Sequence, residues 1–228
     1  MLRRAEDLID FDVMATDGKV GRIDDLYFDD LEWVIRYFVV DTGGWLESRR
    51  VLVAPETAVS ITAPQKQIAF SLTKQHIKES PPVDLRQPVS SEQEVALRAH
   101  YGWPPYWSAA RGPLGAMPAT VERMPEPETA VPSDQNTHLR KVSEVTGYHI
   151  HARDGDIGHV EDFLIDDANW TVRNLIVDTR NWLPGKEVLV APNWIQQIEW
   201  LEATVLVDLA RDTIANSPEF NESMIQAS

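Results

Sequence analysis

Short runs of alternating apolar and polar residues recur along two stretches of this chain, a pattern typical of β-strands. In the first stretch the runs lie near 12–16, 19–28, 33–40, 49–54, 58–62 and 67–71. Asp17-Gly18 predicts a tight turn after the first run, and Gly21 predicts a bulge or a close backbone approach. A short helix is predicted over 74–79. Six short strands in about 80 residues favour a small closed barrel, because closure removes exposed sheet edges.

The second stretch is a copy of the first. When each residue is aligned with the one 137 positions later, 26 of the 80 pairs from Leu2 to Pro81 are identical. Composition alone would give roughly 5 identities. The predicted fold is therefore mainly all-β, with two six-stranded barrels in tandem, short helices and a proline-rich connection. Its parts are a first repeat at 1–81, a connecting segment at 82–136, a second repeat at 137–219 and a tail at 220–228.

The run 33–40 is apolar on both faces of its predicted strand. Since side chains alternate, one face carries Trp33, Ile35, Tyr37 and Val39, and the other carries Val34, Phe38 and Val40. One face can fill the barrel, so the other needs a cover. Either the sister copy, in a pseudo-two-fold pair, or another chain would supply it. Trp33 and Trp170 are accordingly candidate partner-binding residues, and a homodimer is one expected arrangement.

The turn and the strands around it resemble the PRC-barrel family. The family motif is a turn with Gly, then Gly-x-[Ile/Val]-x-Asp, then a strand that ends in Val-Asp. It occurs at 17–25 with 33–41, and again at 154–162 with 170–178. The resemblance implies a PRC-type barrel and docking onto larger assemblies rather than catalysis.

The family includes the cytoplasmic part of the H subunit of purple-bacterial photosynthetic reaction centres and the C-terminal domain of a ribosome-maturation factor. This chain lacks the membrane helix of the H subunit, and it carries two barrels where the maturation factor carries one. Neither specific role transfers. A protein partner is expected, and a peripheral contact with a membrane complex is compatible with the resemblance.

The connecting segment combines prolines with a cluster of aromatic residues. A helix is predicted over about 91–101, with Ser91 and Glu94 as a capping box and Gly102 as the C-terminal cap. The aromatic residues that follow include Trp103, Tyr106 and Trp107. Two interpretations stay open: packing as a satellite core, or a partner-docking patch.

Composition narrows the function classes. The chain has no cysteine, which excludes disulfides, thiolate nucleophiles and Cys-ligated metals. The formal net charge of −15, with no basic segment, disfavours nucleic-acid binding. No apolar stretch approaches the roughly 20 residues of a membrane-spanning helix. A cytoplasmic location without cofactors is the expectation.

Three histidines form the only cluster of its kind, at His149, His151 and His159. The first two share a strand face, and a neighbouring strand can bring His159 close. Zinc binds three or four such ligands, so the cluster is a weak candidate metal site. The alternative is that these are exposed strand histidines.

Two repeated loops are candidate ligand sites. They contain Asp41 with Trp45, and Asp178 with Trp182. Hydrogen bonds between the Asp and Thr side chains and the loop backbone are the simpler interpretation. The paired acids at 24–25, 29–30, 161–162 and 166–167 likewise favour turn hydrogen bonds over a calcium site, because they lack the spacing of a calcium loop.

No catalytic motif stands out, so the expected function is a non-enzymatic binding or scaffold protein that docks onto an assembly or self-associates. A small-molecule or metal-binding sensor is the alternative.

Overall fold

The computed structural model describes residues 1–46, 49–83, 89–109, 138–179 and 186–226. The chain forms two compact units, one made of Met1–Lys74 with His138–Ser228 and the other of Gln75–Thr137. The strands of both copies lie in the first unit. Among the described residues, no helix has both the length and the apolar character needed to cross a membrane.

The mainly β fold is confirmed. The first copy contains β1 (Leu2–Arg4), α1 (Ala5–Leu8), β2 (Asp12–Ala15), β3 (Gly18–Asp29), β4 (Val34–Asp41), β5 (Arg50–Val53), β6 (Ala58–Thr62) and β7 (Gln67–Phe70). The middle of the chain adds α2 (Lys74–Lys78), α3 (Ser91–Tyr101) and α4 (Tyr106–Ala109). The second copy contains β8 (Leu139–Lys141), α5 (Val142–Val145), β9 (His149–Ala152), β10 (Gly155–Asp166), β11 (Thr171–Asp178), β12 (Glu187–Val190), β13 (Ile195–Glu199), β14 (Thr204–Val207), α6 (Arg211–Ala215) and α7 (Ser223–Gln226).

Six strands of each copy follow one another in the same order. In the first copy the order is β6-β7-β2-β3-β4-β5, and in the second it is β13-β14-β9-β10-β11-β12. The sheet rolls up around its core: Phe38 on β4 and Phe70 on β7 have ring centroids 5.7 Å apart although two strands separate them. A flat sheet would place those strands roughly 14 Å apart. The six-stranded rolled arrangement is the one that the sequence pattern predicts.

One glycine in each copy permits a close approach between two paired strands. A Cβ on Gly21 would lie 1.9 Å from the carbonyl oxygen of Asp41, and one on Gly158 would lie 2.0 Å from that of Asp178. Real Cβ atoms do not approach an oxygen so closely, so only glycine fits. The predicted close approach at Gly21 is confirmed.

The first strand of each copy pairs with the other copy. β1 pairs antiparallel with β10, with Leu2 opposite Asp166, and β8 pairs antiparallel with β3, with Leu139 opposite Asp29. These pairs are equivalent under the 137-residue repeat, so the exchange is symmetric. Each barrel therefore has six strands of its own and a seventh from its sister, which the count of six did not anticipate.

The two barrels also meet through β4 and β11. The N–H of Ile35 donates to the carbonyl oxygen of Trp170 at 2.8 Å, and that of Val172 donates to the oxygen of Trp33 at 2.7 Å. All strands of both copies thus belong to one 14-stranded sheet.

Residues that follow the second barrel cover part of its outer surface. Pro218 and Phe220 bond to the β12 backbone, through Leu189 N–H at 2.9 Å and Glu187 carbonyl oxygen at 2.9 Å. The surface they help to cover is an apolar cluster of Leu164, Ile176 and Leu189, against which Phe220, Met224 and Ile225 pack. Part of the predicted tail is thus structural.

The second unit is built around α3. Its N-cap is Ser90, whose hydroxyl accepts from Gln93 N–H at 3.2 Å, while the Gln93 side chain accepts from Ser90 N–H at 2.9 Å. The capping box therefore lies one residue before the predicted pair of Ser91 and Glu94. Gly102 ends the helix in a left-handed conformation, as predicted.

Candidate functional site

The contact between the barrels contains a buried carboxylate from each copy. Asp162 on β10 accepts from Arg4 Nε at 3.0 Å and, at 3.4 Å, from the Glu6 N–H at the start of α1. Asp25 on β3 accepts from the Ser143 N–H of α5 at 3.2 Å and from the Ser143 hydroxyl. Each barrel thus caps the short helix of its sister. Burial raises the pKa of Asp162 to about 6, although its hydrogen bonds and Arg4 act in the opposite direction.

Ion pairs surround this contact. Arg3 Nε lies 2.6 Å from Asp167 Oδ2, and Arg140 Nε lies 3.4 Å from Asp30 Oδ2. His138 also contacts Asp30, at 3.0 Å. Burial raises the pKa of Asp30, and the neighbouring Arg140 and His138 oppose that rise. The acids were predicted to bond to turns, and the second acid of each 29–30 or 166–167 pair instead joins the copies.

The first acid of each pair does serve its own turn. Asp29 Oδ1 accepts from the N–H groups of Leu31 at 2.9 Å and Glu32 at 3.0 Å. Asp166 Oδ1 accepts from Ala168 N–H at 3.1 Å. The turns end in Trp33 and Trp170, which take left-handed backbone conformations with φ of 55° and 59°. A bulky residue adopts such a φ only where its surroundings hold it there.

These tryptophans lie in the apolar centre of the contact. Both are only 9% exposed. The Trp170 ring packs edge-on against Phe38 of the other copy at 4.9 Å, and Phe28 packs against Phe163 at 5.1 Å. The sequence left open whether the sister copy or another chain covers these residues. In the structure the sister copy covers Trp33 and Trp170. Most of the surface of both side chains is thus covered within the chain, and their role in partner binding stays a prediction.

A cleft opens at the edge of this contact. It has a volume of about 500 Å³ and lies between β6 with the preceding 3₁₀ turn and the turn at 167–170. Its lining includes Arg3, Val59, Asp167 and Trp170. Val59 is 65% exposed, although it is apolar. The cleft requires both copies, because neither contributes all of its walls.

The symmetry-related position is different. There the Arg140 guanidinium lies over the ring of Trp200, 4.0 Å from its centroid. The repeat places Ala63 where the second copy has Trp200. The aromatic side chain that stacks on Arg140 therefore has no counterpart beside Arg3.

A second cluster lies at the other end of the second barrel. His159 and Glu161 on β10 and Asp178 on β11 have ligand atoms within 4.8 Å of one another. His159 Nε2 is 3.3 Å from Glu161 Oε2 and 3.9 Å from Asp178 Oδ2. Asp178 is buried, with 2% exposure.

The other two predicted histidines are not members of this ligand group. His149 is opposite His159 in the β9–β10 pairing. His151 Nδ1 lies 2.6 Å from Asp156 Oδ1 on the exposed surface. The structure therefore groups His159 with two acids rather than with His149 and His151.

The first copy has different residues at the equivalent of this cluster. Arg22, Asp24 and Asp41 line a cavity of about 400 Å³ there. Arg50 Nε lies 2.9 Å from Asp24 Oδ2, and Arg22 Nε lies 3.4 Å from Asp12. Asp24, the counterpart of Glu161, is thus paired with an arginine.

The repeated loops bond to their own backbone. Asp41 Oδ1 accepts from Gly43 N–H at 2.8 Å, and the Thr42 hydroxyl donates to Arg49. The Thr179 hydroxyl donates to the Lys186 carbonyl at 3.0 Å. The side chain of Trp45 and all of Trp182 lie outside the described residues, so the ligand-loop prediction stays a prediction.

The aromatic residues of the connecting segment pack within their own unit. Trp103 stacks on Tyr101 at 4.2 Å. Arg98 on α3 lies over the ring of Tyr106 at 4.6 Å and over that of Trp107 at 5.8 Å. Tyr101 is 7% exposed, and the other three aromatics are half-buried. These contacts favour the satellite-core interpretation.

The sequence prediction missed the residues that join the copies. Arg3, Arg4 and Arg140 lie on strands too short to show a periodicity. The repeat held one signal, since its identities begin at Leu2-Arg3 and Leu139-Arg140, before the first predicted strand. Trp200 gave no signal, because it lies in a turn and has no counterpart in the first copy.

The family model of the PRC-barrel domain matches residues 2–66, which agrees with the motif and with the first barrel. No curated protein matches the chain.

Proposed function

The chain contains a PRC-barrel domain at residues 2–66, and from that premise we propose that it is a non-enzymatic binding protein that docks onto a protein assembly. The docking site in this proposal is the cleft between the barrels, lined by Val59 and Trp170. Its occupant is a segment of a partner protein that inserts an apolar side chain.

The exposure of Val59 carries this proposal. An apolar side chain that is 65% exposed beside a nearly buried tryptophan offers surface that a partner can cover. The barrel surface also accommodates an extended segment elsewhere, because residues 218–220 bond to β12 in the same chain. An extended protein segment is therefore an occupant that suits this kind of surface.

Charge supports a basic segment. The chain has a formal net charge of −15, and Glu56 lines the cleft, where Asp167 is already paired with Arg3. Long-range attraction speeds the association of oppositely charged partners, and salt screens it. The proposal therefore includes an association rate that falls as ionic strength rises.

Self-association between chains is not needed to cover the central strands. The sister copy buries Trp33 and Trp170 within one chain. We accordingly propose that the chain is a monomer until its partner binds, and sedimentation equilibrium tests this.

Two matched surface variants test the docking site. Val59→Asp introduces a charge into the cleft, and Leu201→Asp introduces one at a fully exposed apolar residue in the turn between β13 and β14. Partner proteins are captured separately on wild type, Leu201→Asp and Val59→Asp. Those that wild type and Leu201→Asp retain but Val59→Asp does not are purified and titrated against each of the three in a calorimeter. The expected result is an affinity at least about tenfold weaker for Val59→Asp alone.

Equal affinity for both variants contradicts the cleft as the docking site, provided that circular dichroism and thermal unfolding show both to be folded. The non-enzymatic part has its own test. Activity in a broad hydrolase panel that one point substitution abolishes would contradict it.

A further inference from the structure

We propose that His159, Glu161 and Asp178 form a zinc-binding site at one end of the second barrel. This inference does not depend on the docking cleft, which lies at the contact between copies. It rests on the distances, burial and charge of three side chains from two adjacent strands.

The strand pairing brings the three ligands together. His159 lies directly opposite Asp178 in the β10–β11 register. His159 and Glu161 are two residues apart on β10, so their side chains lie on the same face of the strand. The nitrogen and the carboxylate oxygens consequently lie within 4.8 Å of one another.

The distances suit a small divalent ion. Zinc bonds of about 2.1 Å in tetrahedral geometry place ligand atoms roughly 3.4 Å apart. The His159–Glu161 distance is 3.3 Å and the His159–Asp178 distance is 3.9 Å. A small side-chain rotation brings all three within bonding distance of one ion.

The partial exposure of this cluster leaves a fourth coordination position open to solvent. Asp178 has 2% side-chain exposure, whereas His159 has 34% and Glu161 has 33%. The exposed side admits a water molecule as the fourth ligand, as in zinc sites with three protein ligands.

The sister barrel shows what replaces a metal ion. In the first copy Arg50 pairs with Asp24, the counterpart of Glu161. The second copy has Glu187 in place of Arg50 and His159 in place of Arg22. Within the described ranges, the one ion pair of Glu161 is with His159. Where the first copy has two arginines, the second copy thus has a histidine and an additional acid.

The ligand types select zinc over calcium or magnesium. Imidazole nitrogen suits zinc and related transition ions, whereas calcium and magnesium take oxygen ligands. His151 has only Asp156 as an ion-pair partner in the described structure, so it offers a poorer set.

Calorimetric titration of the full chain with zinc tests the site, after prior treatment with a chelator. His159→Arg installs the residue that the first barrel tolerates, and Glu161→Gln removes one ligand charge. Asp24→Asn is the matched control in the first copy, and His149→Ala/His151→Ala controls for the other histidines. Cobalt absorption provides a second measurement, since its spectrum reports the ligand geometry.

Wild type is expected to bind one zinc ion per chain, and His159→Arg to bind at least roughly 100-fold more weakly. Both controls are expected to match wild type within about twofold. Undiminished binding by His159→Arg would overturn the site, as would binding lost only in the His149→Ala/His151→Ala variant. Wild type without stoichiometric zinc would also overturn it. These outcomes leave the effect of Val59→Asp on partner affinity untouched, so the two proposals fail separately.

Discussion

The two copies share glycines and tryptophans that shape and join the barrels, and they differ at several positions around them. Gly21 and Gly158 allow the same close approach of paired strands, and Trp33 and Trp170 occupy equivalent left-handed positions. Beside this common frame, Arg22 corresponds to His159 and Ala63 to Trp200. These shared residues belong to the common fold, and the exposed positions that differ are where the copies can differ in function.

Even a shared residue has different surroundings in the two copies. Arg36 is 7% exposed and pairs with Asp29 and Glu32. Its counterpart Arg173 has 48% side-chain exposure and pairs with Asp166 at 2.6 Å. The pairing with an acid of the preceding turn is retained although the burial is not. The ion pair between this arginine and the preceding turn is therefore retained although the strand is buried to different extents in the two copies.

The largest expected effect is at the glycine where the paired strands of each copy approach closely. Gly21→Ala and Gly158→Ala are each expected to lower the free energy of unfolding by about 4 kcal/mol, because the new methyl group meets a carbonyl oxygen. Urea unfolding monitored by circular dichroism measures this. Gly44→Ala is the control, since a methyl group there would have nothing within 4 Å. A loss at only one of these two glycines would break the equivalence of the copies.

The next largest loss of stability is expected at Trp33 and Trp170. Trp170→Ala removes the ring that packs against Phe38 of the sister copy. We expect a loss of about 3 kcal/mol in the free energy of unfolding for Trp170→Ala and a similar loss for Trp33→Ala. Chemical denaturation of each variant checks the values. A Trp33 effect below a third of the Trp170 effect would mean that the contact is not symmetric in energy.

A smaller effect is expected at Phe220. This half-buried side chain packs against the cluster of Leu164, Ile176 and Leu189. Phe220→Ala is expected to cost about 1–2 kcal/mol of stability, because part of that apolar surface becomes exposed. Thermal unfolding measures the change, with Glu222→Ala at an exposed neighbour as control. Equal melting temperatures for the two variants would show that the residues after α6 do not stabilise the barrel.

The smallest effect on stability concerns the cation–π stack of the second copy. Trp200→Ala is expected to cost about 0.5–1 kcal/mol, since Arg140 keeps its pairing with Asp30. The reciprocal change, Ala63→Trp, is expected to leave stability unchanged and to weaken partner binding at the cleft beside Arg3. Calorimetry with the partner identified through Val59→Asp measures this. Undiminished binding by Ala63→Trp would separate the cleft from the comparison of the copies.

Much of the barrel could be predicted from the sequence, because its strands show alternation and its turns contain Gly, Asp and Pro. The strand at 58–62 was predicted with both ends correct, and the others within one or two residues. The apolar outer side of β4 correctly indicated a cover. These features are local, so each is visible in a window of a few residues.

The exchange of first strands and the two clusters could not be predicted in the same way. The cleft joins residues 55–61 to residues 167–170, and their proximity depends on the angle between the barrels. His159 does lie opposite His149 on β9, as expected. Because β10 has a second neighbour, β11, the ring of His159 also contacts Asp178 there. Sequence periodicity indicates the face of a residue but not which neighbour its side chain contacts.

The most direct test of strand exchange is disulfide formation in a chain that has no cysteine of its own. Leu2 lies opposite Asp166 of the sister copy, and Asp29 is the equivalent residue of its own barrel. Exchange predicts that Leu2→Cys/Asp166→Cys oxidises to an intramolecular disulfide, seen by peptide mass mapping, while Leu2→Cys/Asp29→Cys stays reduced. Oxidation of the second pair and not the first would contradict the exchange and, with it, the paired-barrel account.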